Sequence, residues 1–406
     1  MTAPRLTRAR LAVAGRALPA APVRMVHVGA GAFHRAHQAW FTARASDATE
    51  WGIAAFTGRS PDIAGRLAPQ GGVFTLVERG PRGDRFGHVG SIVEAYAGNR
   101  MERFVPLVAD SRVAVITLTI TEAGYRLTAD GALDLTDSDT TRDIAVLRAG
   151  ATSDRLRTPL GRILAGLAAR SPDAPIALVS CDNLPDNGRL TGSALASLAD
   201  ASGLGPALEG VSFVSTSVDR ITPRTTAADL DAVEAATGWR DEAAVVAEPF
   251  ADWTLSGEFP AGRPAWETAG ARLVDDIAPF EQRKLLLLNG GHLVLAFEGL
   301  LRGRTTVAAA IADPECRQAL DAFWAEAARA VDPGVDTAEY RRALVTRFEN
   351  GRIEHRLDQI AVDTATKLRL RVQPVIDAER AAGRDAPGAT AVVDAWHRCR
   401  EAGLVE

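Results

Sequence analysis

"VHVGAGAFHRAH", residues 26–37, decides the fold. A short apolar run ends on Gly29 and Gly31 and passes straight into residues with helical spacing. Strand, tight turn and helix in that order open a dinucleotide-binding βαβ unit. Gly29 suits the tight turn. Gly31 lets a pyrophosphate approach the backbone, and the helix start at Ala32, Phe33 and His34 favours its charge. His34 stands where the third glycine of the pattern belongs, and a G-x-G alone fits an ordinary strand-to-helix turn equally well. A second strand, "WGIAAFTG" (51–58), follows. An acid at its end would favour NAD, and an arginine would favour the 2'-phosphate of NADP. The chain reads Thr57-Gly58-Arg59-Ser60, so NAD and NADP both stay open. Arg59 is the residue to test, with a solvated loop charge as the plain alternative.

Working outward, residues 1–22 read as a loose arm that caps the first domain. "HRAHQAWFTARASD" (34–47) reads as one helix. "GVFTLVER" (72–79) and "SIVEAYAG" (91–98) read as further strands or edge elements. "VAVITLTIT" (113–121), "APIALVSCDN" (174–183) and "VSFVSTSVDR" (211–220) are buried β-branched runs with helical stretches between them. Short apolar strands that alternate with helices predict a parallel sheet covered on both faces. From about residue 279 the chain turns to helix after helix. The expected fold is α/β: a Rossmann-type N-terminal domain over 1–277 and a mostly α-helical C-terminal domain over 278–406.

The bulk properties exclude several classes. The 406 residues are 47% hydrophobic and 24% charged, with a formal net charge of -5 and no basic stripe, so no nucleic acid is expected as a partner. No apolar run reaches the ~18 residues of a membrane span, and the N-terminus lacks the core of a secretory signal. Cys181, Cys316 and Cys399 are far apart, which fits a reducing cytoplasm and no zinc site.

The chemistry concentrates in "KLLLLNGGH", residues 284–292. On an α-helix over 281–298, Glu281, Lys284, Asn289 and His292 fall within an arc of about 140°. A lysine among leucines loses hydration, which favours the neutral amine. A neutral lysine can take the hydroxyl proton of an alcohol while a hydride leaves, and asparagine amides can hold the developing oxyanion. The plain readings are a snorkelling surface lysine, a helix C-terminus at Asn289-Gly290-Gly291 and a core histidine. Asn183 stands at the carboxyl end of a buried strand, where open α/β sheets bind ligands. Thr119, Thr121 and Glu122 end another such strand and are placed at the nicotinamide half of a cofactor, with a helix cap as the competing role for Thr121.

Eight blocks carry a resemblance: "HVGAGAFHRAHQA", "TLTITEAGY", "SCDNLPDNG", "VDRITP", "EPFADW", "FPAGRPAWE", "KLLLLNGGH" and "HRLDQIAVDTATKL". In this order they resemble the mannitol dehydrogenase family, the polyol-specific long-chain dehydrogenases and reductases. The resemblance implies metal-independent hydride transfer with NAD or NADP, in an active site between a Rossmann-type and a helical domain. It implies Lys284 as general base, and Asn289 with Asn183 as oxyanion donors. His292 would orient the substrate, Glu281 would line a proton path and Asp219 would be a site aspartate. Lys367 matches a substrate-facing lysine, with His355 and Arg356 in the same block. A small-molecule polyol or sugar acid is the expected partner, and a monomer the expected state.

The chain also departs from the pattern. Where the family commonly reads "DGSQKLPQR", residues 363–371 read "DTATKLRLR", which predicts a loop of different shape. Ala123 stands where lysine or glycine is common. Larger members continue past "REAGLVE", which predicts a reduced helical domain. A sugar acid would need a cation, and Arg356, Lys367 and Arg371 are the candidates. The alternatives are a sugar-phosphate dehydrogenase and a non-catalytic nucleotide-sensing protein on the same fold.

Overall fold

The computed structural model describes residues 3–58, 60–150 and 155–406; Arg59 lies outside them. The chain forms two compact units. One runs to Glu78 and again over Asp84–Ile277, and the other comprises Arg79–Gly83 and Ala278–Glu406. The tip of a hairpin at 79–83 therefore belongs with the helical unit.

The strands of the first unit are β1 (Val23–Val28), β2 (Gly52–Phe56), β3 (Phe74–Gly80), β4 (Gly83–Val89), β5 (Ile92–Tyr96), β6 (Val115–Leu118), β7 (Ile176–Ser180), β8 (Val211–Asp219), β9 (Val245–Ala247), β10 (Asp252–Ser256) and β11 (Arg272–Leu273). The main sheet has the order β11-β10-β8-β7-β6-β1-β2-β5. From β5 to β8 every pairing is parallel. The order β5-β2-β1-β6-β7-β8 is that of the doubly wound dinucleotide-binding sheet, with its switch point between β1 and β6. The sheet is not wholly parallel, because β10 pairs antiparallel with β8. The run "GVFTLVER" belongs elsewhere, since β3 lies in a separate three-stranded sheet between β4 and β9.

Side chains of the main sheet alternate between two cores. Met25, Ile53, Val115 and Val179 face one; Val26, Ala54, Ile116 and Leu178 face the other. The β-branched runs of the sequence are thus buried on both sides, as parallel sheets require.

Two expectations change. The N-terminal arm is not loose: Leu6 and Leu11 are fully buried against Val73. Arg8 donates to the carbonyls of Gly71, Gly90 and Ile92. The single helix expected over 34–47 is two, Ala32–Ala36 and Gln38–Arg44, broken at His37. Buried Arg220 captures the Ala36 carbonyl at 2.6 Å, and His37 Nε2 bonds the Asp252 carbonyl at 3.0 Å. Both contacts come from beyond the local sequence and override its helical spacing.

The second unit is built around one helical rod, Ala278–Leu301, of 24 residues. It is long and apolar enough to cross a membrane by length and composition, contrary to the reading of the bare sequence. In the fold, 72% of its apolar window is buried, so it serves as a core helix. The helices Pro314–Ala330 and Pro387–Glu401 pack on it. Glu326 of the former caps the latter, accepting from Gly388 N and Ala389 N at 2.7 Å each.

Candidate active site

The carboxyl ends of β6, β7 and β8 and the helix after the glycine turn line one cavity of about 510 Å³. Phe33, Thr119, Thr121, Glu122, Cys181, Asp182, Asn183 and Val218 are among its walls. It therefore opens where ligands bind in doubly wound sheets. The expected cofactor residues Phe33, Thr119, Thr121 and Glu122 come together there with Asn183. Thr121 takes the N-cap position of the short helix Glu122–Tyr125, but its side chain makes no capping bond.

The two glycines of the turn differ. Gly29 has φ +102, and a Cβ on it would stand 2.2 Å from the Thr119 carbonyl oxygen. Only glycine fits. Gly31 has ordinary extended backbone, and a Cβ there would meet only Gly29 O at 3.5 Å. Nothing within the protein demands glycine at 31. Ala32 begins the helix, which lasts only five residues, so the dipole expected there is that of a short segment. His34, expected at the cofactor, is fully buried with its ring stacked on His27 at 3.3 Å. It lies under the turn and does not line the cavity.

Sequence reasoning missed the groups that hold Asp182 in the cavity wall. The buried Tyr125 hydroxyl donates to Asp182 Oδ2. Burial pushes the Tyr125 phenol well up and the Asp182 carboxyl up as well. Asn187 bridges the ends of β7 and β8. Its amide donates to the Asp182 and Thr216 carbonyls and accepts from Thr216 N. Asp219 closes β8 as a buried acid, opposite Asp252 of β10.

In the second unit the rod is not α-helical throughout. Lys284–Asn289 is a π-helix between Ala278–Arg283 and Gly290–Leu301. The arc reckoned from α-helical winding therefore does not apply. Winding with i→i+5 bonds brings Asn289 round closer above Lys284 than an α-helix would. Lys284, Asn289 and Glu281 are half-buried, while Leu286, Leu287 and Leu288 are buried. The helix does not end at the glycines. Gly290 is αR, and the helix runs on through Gly291. A Cβ at Gly290 would stand 2.8 Å from the Phe323 ring, and one at Gly291 3.0 Å from Trp324 Nε1. The pair is glycine so that helix Pro314–Ala330 can approach. Trp324 Nε1 donates to the Leu287 carbonyl at 2.8 Å, inside the π segment.

His292 is buried against Phe348 and His355, with ring centroids 4.8 and 4.7 Å away. Burial, then the positive fields of His355, Arg347 and Arg371, hold its imidazole well below the ordinary value. Its Nε2 has no hydrogen-bond partner among the described residues. Half-buried Lys367 donates to the Ile360 carbonyl at 2.9 Å. Burial and Arg371 lower its pKa. Arg356 is on the surface, paired with Asp358 at 3.0 Å. Arg371 lies on helix Thr364–Arg371, which packs on the π segment, and its carbonyl oxygen is 3.4 Å from the Cβ position of Gly290. Asp363 adopts left-handed backbone, φ 51, at the start of that helix, where the family pattern has its glycine one residue later.

Together these features define a two-domain α/β protein with a Rossmann-type first unit and a helical second one. The mannitol dehydrogenase Rossmann domain matches residues 23–268, and the mannitol dehydrogenase C-terminal domain matches 276–402. The chain belongs to the mannitol dehydrogenase family. It is 35% identical over 394 residues to D-arabinitol 4-dehydrogenase of Ralstonia nicotianae, covering 93% of this chain and 83% of that one. It is 34% identical to D-mannonate oxidoreductase of Escherichia coli, covering 86% and 74%. The solved mannitol 2-dehydrogenase of Pseudomonas fluorescens, a ternary complex with NAD and D-mannitol, superposes with a TM-score of 0.77 at 33% identity, covering 93% and 78%.

Two outcomes follow from this geometry. Trp324→Phe keeps the ring but leaves the Leu287 carbonyl without that donor. Denaturant unfolding should show a loss of about 1–3 kcal/mol, and an unchanged midpoint would deny the bond any part in holding the π segment. Burial lowers the pKa of His27, His34, His88, His292 and His355 alike. Held neutral in the fold, they bind fewer protons than in the unfolded chain. Stability is therefore intact above the ordinary value of about 6.5 and falls as pH drops below it, by up to ~1.4 kcal/mol per pH unit for each. Thermal melts between pH 7.5 and 5 should show a falling Tm.

Proposed function

We propose that this protein is an NAD-dependent dehydrogenase that interconverts a sugar alcohol or aldonate with the corresponding ketose or ketouronate. The observation that carries the reading is the π segment, whose winding brings Asn289 round toward Lys284 on a half-buried surface. The cavity at the switch point and a Gly31 that the protein itself does not require suit a dinucleotide. Bound there, NAD supplies the acceptor for the hydride of the carbinol carbon.

The remaining chemistry falls to this chain's side chains. Lys284 takes the hydroxyl proton as the C–H bond breaks. Asn289 donates to the oxygen as negative charge gathers on it, and the family resemblance gives Asn183 the same kind of role. His292, neutral and with Nε2 unpaired, holds a substrate hydroxyl. Glu281 passes the proton on from Lys284, and the family resemblance makes Asp219 a further acid of the site. No step calls for a metal ion.

The substrate class turns on charge. Of the three cations at hand, Arg356 is paired on the surface and Lys367 is bonded to a carbonyl. Arg371 is half-buried; the charge of Asp363 acts on it, but among the described residues no hydrogen bond or close ion pair engages its guanidinium. A buried charge without a partner is costly, and a guanidinium matches a carboxylate in bidentate fashion. Arg371 thus favours a sugar acid over a neutral polyol.

Absorbance at 340 nm with NAD or NADP, against mannitol, arabinitol, sorbitol, mannonate and altronate, tests the reading. Absence of turnover with all of them, in both directions, would sink it. Lys284→Ala should lower kcat by about 10²–10⁴-fold with NADH binding retained; near-normal turnover would remove Lys284 from the base role. Arg371→Leu should lower kcat/KM for the aldonates by roughly 10–100-fold and leave the polyols within a few-fold. An equal loss on both classes would remove the carboxylate from Arg371.

A further inference from the structure

The glycine turn is fastened to the strand on either side of β1, in two different ways. On the β2 side the bonds are backbone only: Gly29 N and Ala30 N both donate to the Phe56 carbonyl, at 2.9 and 2.8 Å. On the β6 side a chain of side chains does the work. The Thr119 hydroxyl bonds the Gly29 carbonyl at 2.9 Å. His27 Nε2 lies 3.0 Å from Thr119 Oγ1, and His27 Nδ1 lies 2.8 Å from Thr117 Oγ1.

The direction of this chain follows from what each atom can do. A carbonyl oxygen only accepts, so Thr119 gives its single proton to Gly29 O. That leaves Thr119 Oγ1 only lone pairs to offer His27, so His27 carries its proton on Nε2. A neutral imidazole then accepts at Nδ1, and the Thr117 hydroxyl donates to it. Full burial agrees: it pulls the His27 pKa to about 3, against a weaker pull the other way from the Gly29 backbone, so the ring stays neutral with one donor and one acceptor. The His34 ring lies parallel to it, tilted by 10° with centroids 3.3 Å apart, and bars the ring from turning. His27 also sits one strand position from the turn it serves, on β1 itself.

We propose that His27 is a positioning residue for the dinucleotide site. By fixing the Thr119 hydroxyl on the Gly29 carbonyl, it sets where the glycine turn stands against β6, and through that the affinity for the coenzyme. It takes no part in hydride or proton transfer. The Thr119 hydroxyl, although it lines the cavity, is spent within the protein and does not donate to the coenzyme.

This inference rests on the dinucleotide reading above, and its test separates the two. His27→Phe keeps an aromatic ring on His34 but removes both nitrogens. Thr119→Val removes the hydroxyl, and Thr119→Ser restores it. Fluorescence titration with NADH should give a Kd raised about tenfold in His27→Phe and Thr119→Val, and within about threefold of wild type in Thr119→Ser. At saturating coenzyme, kcat of His27→Phe should stay within about twofold. Without any coenzyme, ¹⁵N-histidine NMR of the wild-type protein, assigned through correlations from each ring to its own backbone, should show His27 as the pure Nε2–H tautomer among the seven histidines. An Nδ1–H tautomer overturns the clasp on the wild-type protein, whether or not any variant folds. So does an unchanged Kd in a folded His27→Phe, or a fall in kcat in place of affinity. A wild-type protein that binds no NADH overturns the coenzyme reading and the affinity claim with it, and the tautomer still decides the hydrogen-bond chain.

Discussion

Where a helix changes from i→i+4 to i→i+5 winding, its carbonyls fall out of step with the donors above them. A buried carbonyl left short of a donor is expensive, so the change persists only where something outside the helix makes good the difference. In the second unit that group is the Trp324 indole, which donates to Leu287 O. It reaches this far because Gly290 and Gly291 offer no side chain to the helix that carries it. The half-buried face with Lys284 and Asn289 depends on this arrangement. So does the place of His292, one short step further along the same rod. A pair of glycines that serves no turn is thus a structural condition of the reactive face.

The first unit solves a comparable problem with arginines. Loops at the ends of a parallel sheet expose carbonyls that no neighbouring strand pairs. Arg170 takes those of Val108, Asp110, Val113 and Pro175. Arg220 takes those of Ala36 and Glu248 and closes on Glu78. Arg8 does the same for Gly71, Gly90 and Ile92. A planar guanidinium with five fixed donors can hold several carbonyls at once, which lysine cannot. Each clamp fixes a piece of backbone that borders the sheet, and Arg220 sets the break in the helix behind the glycine turn.

The sheet was legible because burial on both faces forces apolar, β-branched runs that stand out from their surroundings, and because Gly29 can be replaced by nothing else. The reactive rod was legible as a cluster but not as a shape. Its π turn depends on Trp324, 37 residues away, and no local spacing signals it. The burial of His34 was hidden for a related reason. The pattern puts that position beside a phosphate, but residue parity along β1 sends His27 to the same side, and the two rings pair beneath the turn. The arginine clamps were not legible, because a clamp is defined by distant carbonyls that carry no side-chain signature. The split helix at His37 has the same origin, since Arg220 and Asp252 lie far along the chain.

The two histidines of the second unit bear on the charge of what binds there. His292 and His355 stand edge to face, and each is held neutral by burial and by positive neighbours, Arg347 acting on both. A neutral ligand leaves that field as it is. A carboxylate at Arg371 offsets it, so the imidazole that also feels Arg371, His292, gains affinity for a proton when the anion binds. By linkage, lower pH then favours binding of the acid and leaves binding of a polyol unchanged. The same cluster therefore reads the charge of its ligand through the protonation of its own histidine, and the sign of that coupling is set by the positive charge of Arg371.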